Sequence, residues 1–501
     1  MTPETPILVW FRQDLRLADH AALHAALVAS KRSNRPILPI YILDDKSPGM
    51  WKMGAASRWW LHHSLAALRT ALAARGAPLV LRRGPATTVL PSLLAETGAT
   101  EIHAGRAHEP WARTVETALE KQCPGALHLH RTATLFDLET IRTKTGGIYG
   151  IYTPFANTLR QRDDIGPPIP VPDHIPAAKP PASDRLEDWD LLPKKPDWAP
   201  GFGTTWCPGE PAAHERLAAF VAKNVHGYDI GRNLPGLPGT SMLSAHLHWG
   251  ELSPRQVWHA ATTAETPANA LLKAGEGRRT YLGEILWREF AAYLLFHNPH
   301  LPEKPLRPRF DAMPTRSVPT EIEAWQRGRT GIPIVDAGMR QLLNIGWMHN
   351  RVRMIAASFL VKHLLAPWQV GENWFWDTLV DADLASNAAS WQWIAGSGID
   401  AQPFFRIFNP VSQGEKFDPE GAYVRTWVPE LAHLPPKFIH APWTASPETL
   451  ARAAVSLGHD YPRPIVDLAH GRNRALEAFR STATTPRETT TKKTPPHETG
   501  A

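Results

Sequence analysis

The sequence predicts a parallel α/β sheet in the first part of the chain and a mostly α-helical second part. Three observations predict this. Short apolar runs of strand length recur before residue 135, helical patterns lie between them, and a proline-rich stretch then separates this alternation from longer helical patterns.

The runs are "ILVWF" (7–11), "ILPIYIL" (37–43), "PLVLR" (78–82), "EIHAG" (101–105) and "LHLHR" (127–131). Between them stand patterns such as "SRWWLHHSLAALRTALAARG" and "VLPSLLAETG". Strand, helix, strand at these lengths makes a Rossmann-like α/β unit over 1–135. It lacks GxGxxG, so dinucleotide binding of that type is unsupported. An extended connection is expected over 136–209, because ten prolines fall between Ile165 and Pro200. "TYLGEILWREFAAYLLF" and "WMHNRVRMIAASFLVKHLL" open a helical unit over 210–475. The low-complexity end, 476–501, is expected to be disordered.

At 501 residues the chain has room for two or three domains. Its 54 basic and 48 acidic residues give +6, a mild bias that suits a local anionic partner. The two cysteines, Cys123 and Cys207, make no disulfide framework or zinc spacing, and the 23 histidines form no HExxH, so no metal site is expected. No apolar run approaches about 20 residues, and the start lacks a signal peptide's order. A soluble cytoplasmic protein is expected. The 20 Trp outnumber both 16 Phe and 8 Tyr. A buried indole N–H wants a partner, so stacking on a flat ligand, stacking on bases or electron relay explains that excess better than core filling.

Residues 381–393 read "DADLASNAASWQW". In a helix, Asp383, Asn387 and Trp391 form one stripe, while Trp393 faces away from Trp391. Read alone, that is a capped helix with core tryptophans. In "YLGEILWREF", Glu284, Trp287 and Arg288 share a face; in "WMHNRVRM", Asn350, Arg353 and Met354 repeat the spacing. The second helix is apolar further on, so Arg353 needs an acidic partner, Asp381 or Asp383. In "GTSMLSAHLHWGELSPRQ", Thr240, Ser241 and Ser244 either cap a helix or, with free amides, hold a phosphate.

These segments, with "VWFRQDLRL", "GRTGIPIVDAGMRQL" and "FRIFNPVSQGEKFD", resemble the photolyase/cryptochrome family, and most of all its class I cyclobutane pyrimidine dimer photolyases. The resemblance runs from near residue 7 to near 475. It implies an N-terminal antenna-pigment domain and a C-terminal helical domain holding FAD. Tyr228, Thr240, Ser241, Met242, Leu243, Ser244, Tyr281, Arg353, Asp381, Ala382, Asp383 and Asn387 would form the FAD site, with Asn387 facing flavin N5. Glu284, Trp287, Arg288, Asn350, Met354 and Trp393 would meet a flipped dimer in UV-damaged DNA. Arg232, Arg351, Arg406 and Gln413 would hold flanking phosphates.

The resemblance also implies the chemistry. Light-excited reduced flavin gives an electron to the dimer, which splits and returns it. The lesion must leave the stack first, because a base inside the duplex is out of reach of a buried cofactor. Trp391 and Trp368 match the first two members of the family's tryptophan relay. The third place falls on Thr315, which cannot carry a hole, so either another aromatic, Trp374 or Trp376, takes over or photoreduction of oxidised FAD is poor. Asn350 and Met354 stand where (6–4) enzymes carry histidines, so cyclobutane dimers are the expected substrate. The antenna pigment, methenyltetrahydrofolate or deazaflavin, stays open, since Trp111 and Ala112 occupy the neighbourhood of a folate-binding glutamate. A monomer is expected. The alternative is a cryptochrome-type light sensor without repair.

Overall fold

Five parallel strands form one sheet in the computed structural model, which describes residues 5–162, 164–263, 275–398, 400 and 405–482. They are β1 (Ile7–Phe11), β2 (Ile37–Leu43), β3 (Val80–Arg83), β4 (Glu101–Gly105) and β5 (Leu127–His130), in the order β3-β2-β1-β4-β5. Helices cover both faces: α1 (Ala21–Ser33) and α2 (Ala55–Ala73) on one, α3 (Ala86–Thr97) and α4 (Pro110–Gln122) on the other. Successive strand side chains point to opposite faces. Hence Ile7, Val9 and Phe11 pack with Leu23, Ala26 and Trp60, while Leu8 and Trp10 pack with Leu90, Leu93 and Val115. Burial on both faces is why these strands read as unbroken apolar runs.

The proline-rich connection is extended, but it is not free. It lies along the sheet, with Ile37 N–H donating to the Pro176 carbonyl at 2.6 Å and Asp184 N–H to Leu81 at 2.9 Å. Its own Ile175, Leu186 and Trp189 are buried. Proline cannot donate but accepts normally, so such a segment can border a sheet.

The helical part is built on α5 (Tyr152–Arg160), α6 (Glu210–Lys223), α7 (Tyr228–Gly231), α8 (Ser244–His248) and α9 (Glu276–His297). There follow α10 (Pro333–Ile345), α11 (Asn350–Ser358), α12 (Trp368–Thr378), α13 (Leu384–Ala395) and α14 (Pro410–Phe417). The segment "GRTGIPIVDAGMRQL" has a structural cause: buried Asp336 accepts from Thr330 N and Oγ1, Gly331 N and the Tyr461 hydroxyl. A last helix, Leu468–Ser481, carries ordered chain past 476, where the tail was expected to begin. Asp467 caps it and Ala475 and Ala478 are buried, so the structure extends to Thr482. Residues 483–501 lie outside the described residues.

The two parts are latched by "RQDLRLADH". Arg16 is fully buried and donates to the carbonyls of Ala18, Asp19, Thr132 and Gly250 at 2.8–3.0 Å. Glu210 on α6 accepts from Leu17 and Ala18 N–H. A Cβ at Gly250 would stand 2.2 Å from the Gln13 carbonyl, and its φ is +65°. Only glycine fits that crossing.

Candidate functional site

A line of contacts joins six elements around one hollow. Tyr228 on α7 meets Tyr281 on α9 edge-on, ring centroids 5.1 Å apart. The buried Tyr281 hydroxyl has Ser241 as polar neighbour but makes no hydrogen bond of ordinary geometry. Thr240 and Ser241 are half-buried, and Met242 takes a left-handed φ of 50°. The capping position of α8 falls on Leu243, whose side chain cannot cap, so neither hydroxyl serves the helix. Ser244 instead accepts from the Trp347 indole at 3.1 Å. Arg353 lies over the Trp347 ring, 5.9 Å from its centroid, and donates to Asp381 Oδ2 at 2.7 Å. The partner expected for Arg353 is therefore Asp381. Its other oxygen, Oδ1, is buried with no partner. A buried orphan acceptor calls for a donor from a bound molecule.

The stripe on α13 forms. Asp383 is the N-cap, accepting from Ser386 N–H at 2.7 Å. Burial opposes its charge, but Arg288, His248 and Ser386 outweigh burial and hold the pKa below the ordinary carboxylate value. Asn387 donates to the Glu372 carbonyl at 3.0 Å, one helix away. Trp391 abuts Gly371, where a Cβ would come within 2.0 Å of the indole. Its ring neighbours are Phe375 at 5.1 Å and Trp325 at 6.3 Å. Trp368 is buried in the same core; Thr315 is exposed. Trp374 packs on that core as well, while Trp376 turns to Trp51 and donates to the Lys52 carbonyl. Trp393 is half-buried.

On the outer side of the hollow, Glu284 pairs with Arg232 rather than with Arg288. Arg288 has turned away and donates to the carbonyls of Ala133 and Leu247. The expectation of one Glu284–Trp287–Arg288 face is corrected there: a long side chain four residues on can leave the stripe for stronger acceptors. Asn350 is exposed at the start of α11, because the apolar part of that helix begins after it. Arg351 donates to Asn233 and lies 3.8 Å from Met354 Sδ. Glu284, Arg232 and Arg406 face it electrostatically. Trp287 stays 38% exposed. Arg406 is exposed and Gln413 half-buried on α14.

A second hollow, about 140 Å³, lies between the two parts. Trp10 to Asp14 at the end of β1 and Gly105 to Ala107 at the end of β4 line it, so it opens at the carboxyl ends where the strand order reverses. Open α/β sheets bind ligands at that point. Arg288, Ala382 and Asp383 form its far wall, and Glu109 and Trp111 border it. Ala112 is buried away from it.

The family model described as the FAD binding domain of DNA photolyase matches residues 281–481, and the DNA photolyase model matches 7–174. A deoxyribodipyrimidine photo-lyase of Agrobacterium fabrum is 48% identical over 95% of this chain and 97% of its own. The chain belongs to the photolyase/cryptochrome family. Cryptochrome-1 of Arabidopsis thaliana is 34% identical over 94% of this chain and 70% of its own. The crystal structure of a bacterial class III photolyase from Agrobacterium tumefaciens superposes with a TM-score of 0.90 at 46% identity, covering 97% of this chain and 99% of that one. The class I expectation finds no support in that likeness. Within the described residues no helix is long and apolar enough to cross a membrane.

The residues present fit FAD, the cofactor of this family's helical domain. The orphan Asp381 oxygen and the Ser241 and Tyr281 hydroxyls offer polar partners, and Tyr228, Tyr281 and Trp347 give aromatic walls. Trp347, Glu372 and Glu109 were missed in the sequence. Trp347 had a signal, since it opens the quoted "WMHNRVRM".

Proposed function

We propose that this chain is a blue-light-driven deoxyribodipyrimidine photo-lyase, repairing cyclobutane pyrimidine dimers in duplex DNA as a cytoplasmic monomer. What carries this reading is Trp287, which stays exposed one turn after Glu284 on the same helix, where Glu284 pairs with Arg232 and Arg351 approaches Met354.

Reduced FAD, when bound, supplies the light-driven electron that splits the dimer. Tyr228, Thr240, Ser241, Met242, Leu243, Ser244, Tyr281, Arg353, Asp381 and Asn387 hold it, with Ala382 and Asp383 at the edge of the second hollow. Asn387 presents an amide that donates or accepts, so it serves either protonation state at N5. Trp287 and Trp393 stack on the flipped bases; Glu284, Asn350 and Met354 contact their edges. Burial raises the Glu284 pKa, against the opposing pull of Arg232 and Arg351. Arg232, Arg351, Arg406 and Gln413 take the phosphates. Residues 1–135 form the antenna unit, 136–209 the connection and 210–475 the FAD- and DNA-binding unit. The second hollow holds the antenna pigment, a folate or a deazaflavin.

Absorption spectroscopy followed by blue-light treatment of UV-irradiated duplex DNA tests the reading. A flavin spectrum with light-dependent repair is expected. A flavin spectrum without repair makes the chain a sensor, and a colourless protein that still binds DNA removes the catalytic reading.

A further inference from the structure

Trp287 has one free face. The other is covered by Tyr152 of α5, stacked with ring centroids 3.6 Å apart and planes 5° from parallel. Aromatic pairs prefer offset or edge-on arrangements at about 4.5–7 Å, so ring attraction alone does not select this sandwich. One hydrogen bond holds it. The Tyr152 hydroxyl donates to the Gly283 carbonyl at 2.8 Å, one turn before Trp287 on α9. Burial lifts the phenol pKa to about 12, so this proton stays in place. Phe290 braces Tyr152 edge-on, ring centroids 5.9 Å apart.

A free indole would lose rotamer freedom on stacking with a base, and fixing it beforehand removes that cost. We propose that Tyr152 is a positioning residue for lesion binding, holding Trp287 in place to stack on a flipped base. It therefore sets the preference for damaged over undamaged DNA. This rests on Trp287 as the lesion clamp. Tyr152 touches the clamp and not the lesion, and undamaged duplex, which leaves the clamp empty, has no use for it.

The test titrates FAD-loaded protein in the dark with labelled duplexes, one carrying a single cyclobutane dimer and one undamaged. Tyr152→Leu and Tyr152→Met remove the ring; Tyr152→Phe keeps the ring and loses the bond to Gly283; Trp287→Ala is the control. Flavin content and melting temperature are read alongside. Both ring-less variants are expected to weaken dimer binding about tenfold, or about 1.4 kcal/mol, with undamaged binding unchanged. Tyr152→Phe is expected to restore most of the loss. Wild-type dimer affinity in the ring-less variants overturns the proposal, as does an equal loss on both duplexes or failure of both variants to hold FAD. If Trp287→Ala alone loses dimer affinity, the clamp reading survives and only the role of Tyr152 falls. If Trp287→Ala binds dimers normally, both fall.

Discussion

Arg353 on α11 reaches Asp381 at the head of α13, donating from Nη2 to Oδ2 at 2.7 Å, and leaves Oδ1 buried without a partner. The pair thus fixes an acceptor facing the hollow. Arg353→Ala is expected to destabilise the chain by about 3 kcal/mol, because it strands a buried carboxylate. Asp381→Asn keeps the shape and is expected to keep the fold but release FAD. Flavin retention on gel filtration and thermal melting separate the two effects.

Trp287→Ala is expected to weaken binding of a dimer-containing duplex by about 1–3 kcal/mol, the worth of a base–aromatic stack. Arg406→Ala, at an exposed position proposed to contact phosphate, is expected to weaken all DNA alike and reduce the salt slope by roughly one. Anisotropy titrations at several salt concentrations check both. A loss confined to damaged DNA in Arg406→Ala would place that arginine on the lesion.

Trp391→Phe is expected to abolish light-driven reduction of the oxidised cofactor and to spare repair by chemically reduced protein. Thr315, exposed where the relay should end, cannot carry a hole. Trp374, like Trp376 packed on the core that holds Trp391 and Trp368, is proposed for the outer place. Trp374→Phe is therefore expected to slow reduction, and Thr315→Trp to speed it. Transient absorption on the three variants decides; fast reduction unchanged in Trp374→Phe and Thr315→Trp would move the exit elsewhere, Trp325 being the nearest indole to Trp391.

Glu372 is buried with neither oxygen hydrogen-bonded, and burial, helped by Glu303, lifts its pKa from 4.5 to about 9. A raised carboxyl pKa gives stability that is full below the unfolded value and is lost as pH climbs through the folded value. The window runs from 4.5 to about 9. Glu372→Gln removes this loss, so it is expected to stabilise the protein by roughly 3 kcal/mol at pH 7 and by nothing at low pH. Melting curves against pH check the sign; a variant gain that shrinks on going from acid to neutral pH would refute it.

All five strands were legible because a sheet buried on both faces leaves unbroken apolar runs. The α13 stripe and the need of Arg353 for a partner were legible because helical spacing and charge burial act locally. Contacts between distant segments were not. Tyr152 stands in "GIYGIYTPF", far from Trp287 along the chain, and only the packing of α5 on α9 brings it there. Arg288 followed its spacing on paper but found carbonyls of Ala133 and Leu247 across the interface. Glu109 was passed over for Trp111 and Ala112, since nothing in the segment tells which side of α4 lines the hollow.

Product-resolved assay of reduced, FAD-loaded protein with duplex DNA carrying defined lesions tests the central claim most directly. Cyclobutane dimers are expected to return to intact pyrimidines under blue light, to persist in the dark, and to be repaired while (6–4) products stay unchanged. Dimers that persist under light with fully loaded protein would contradict the account.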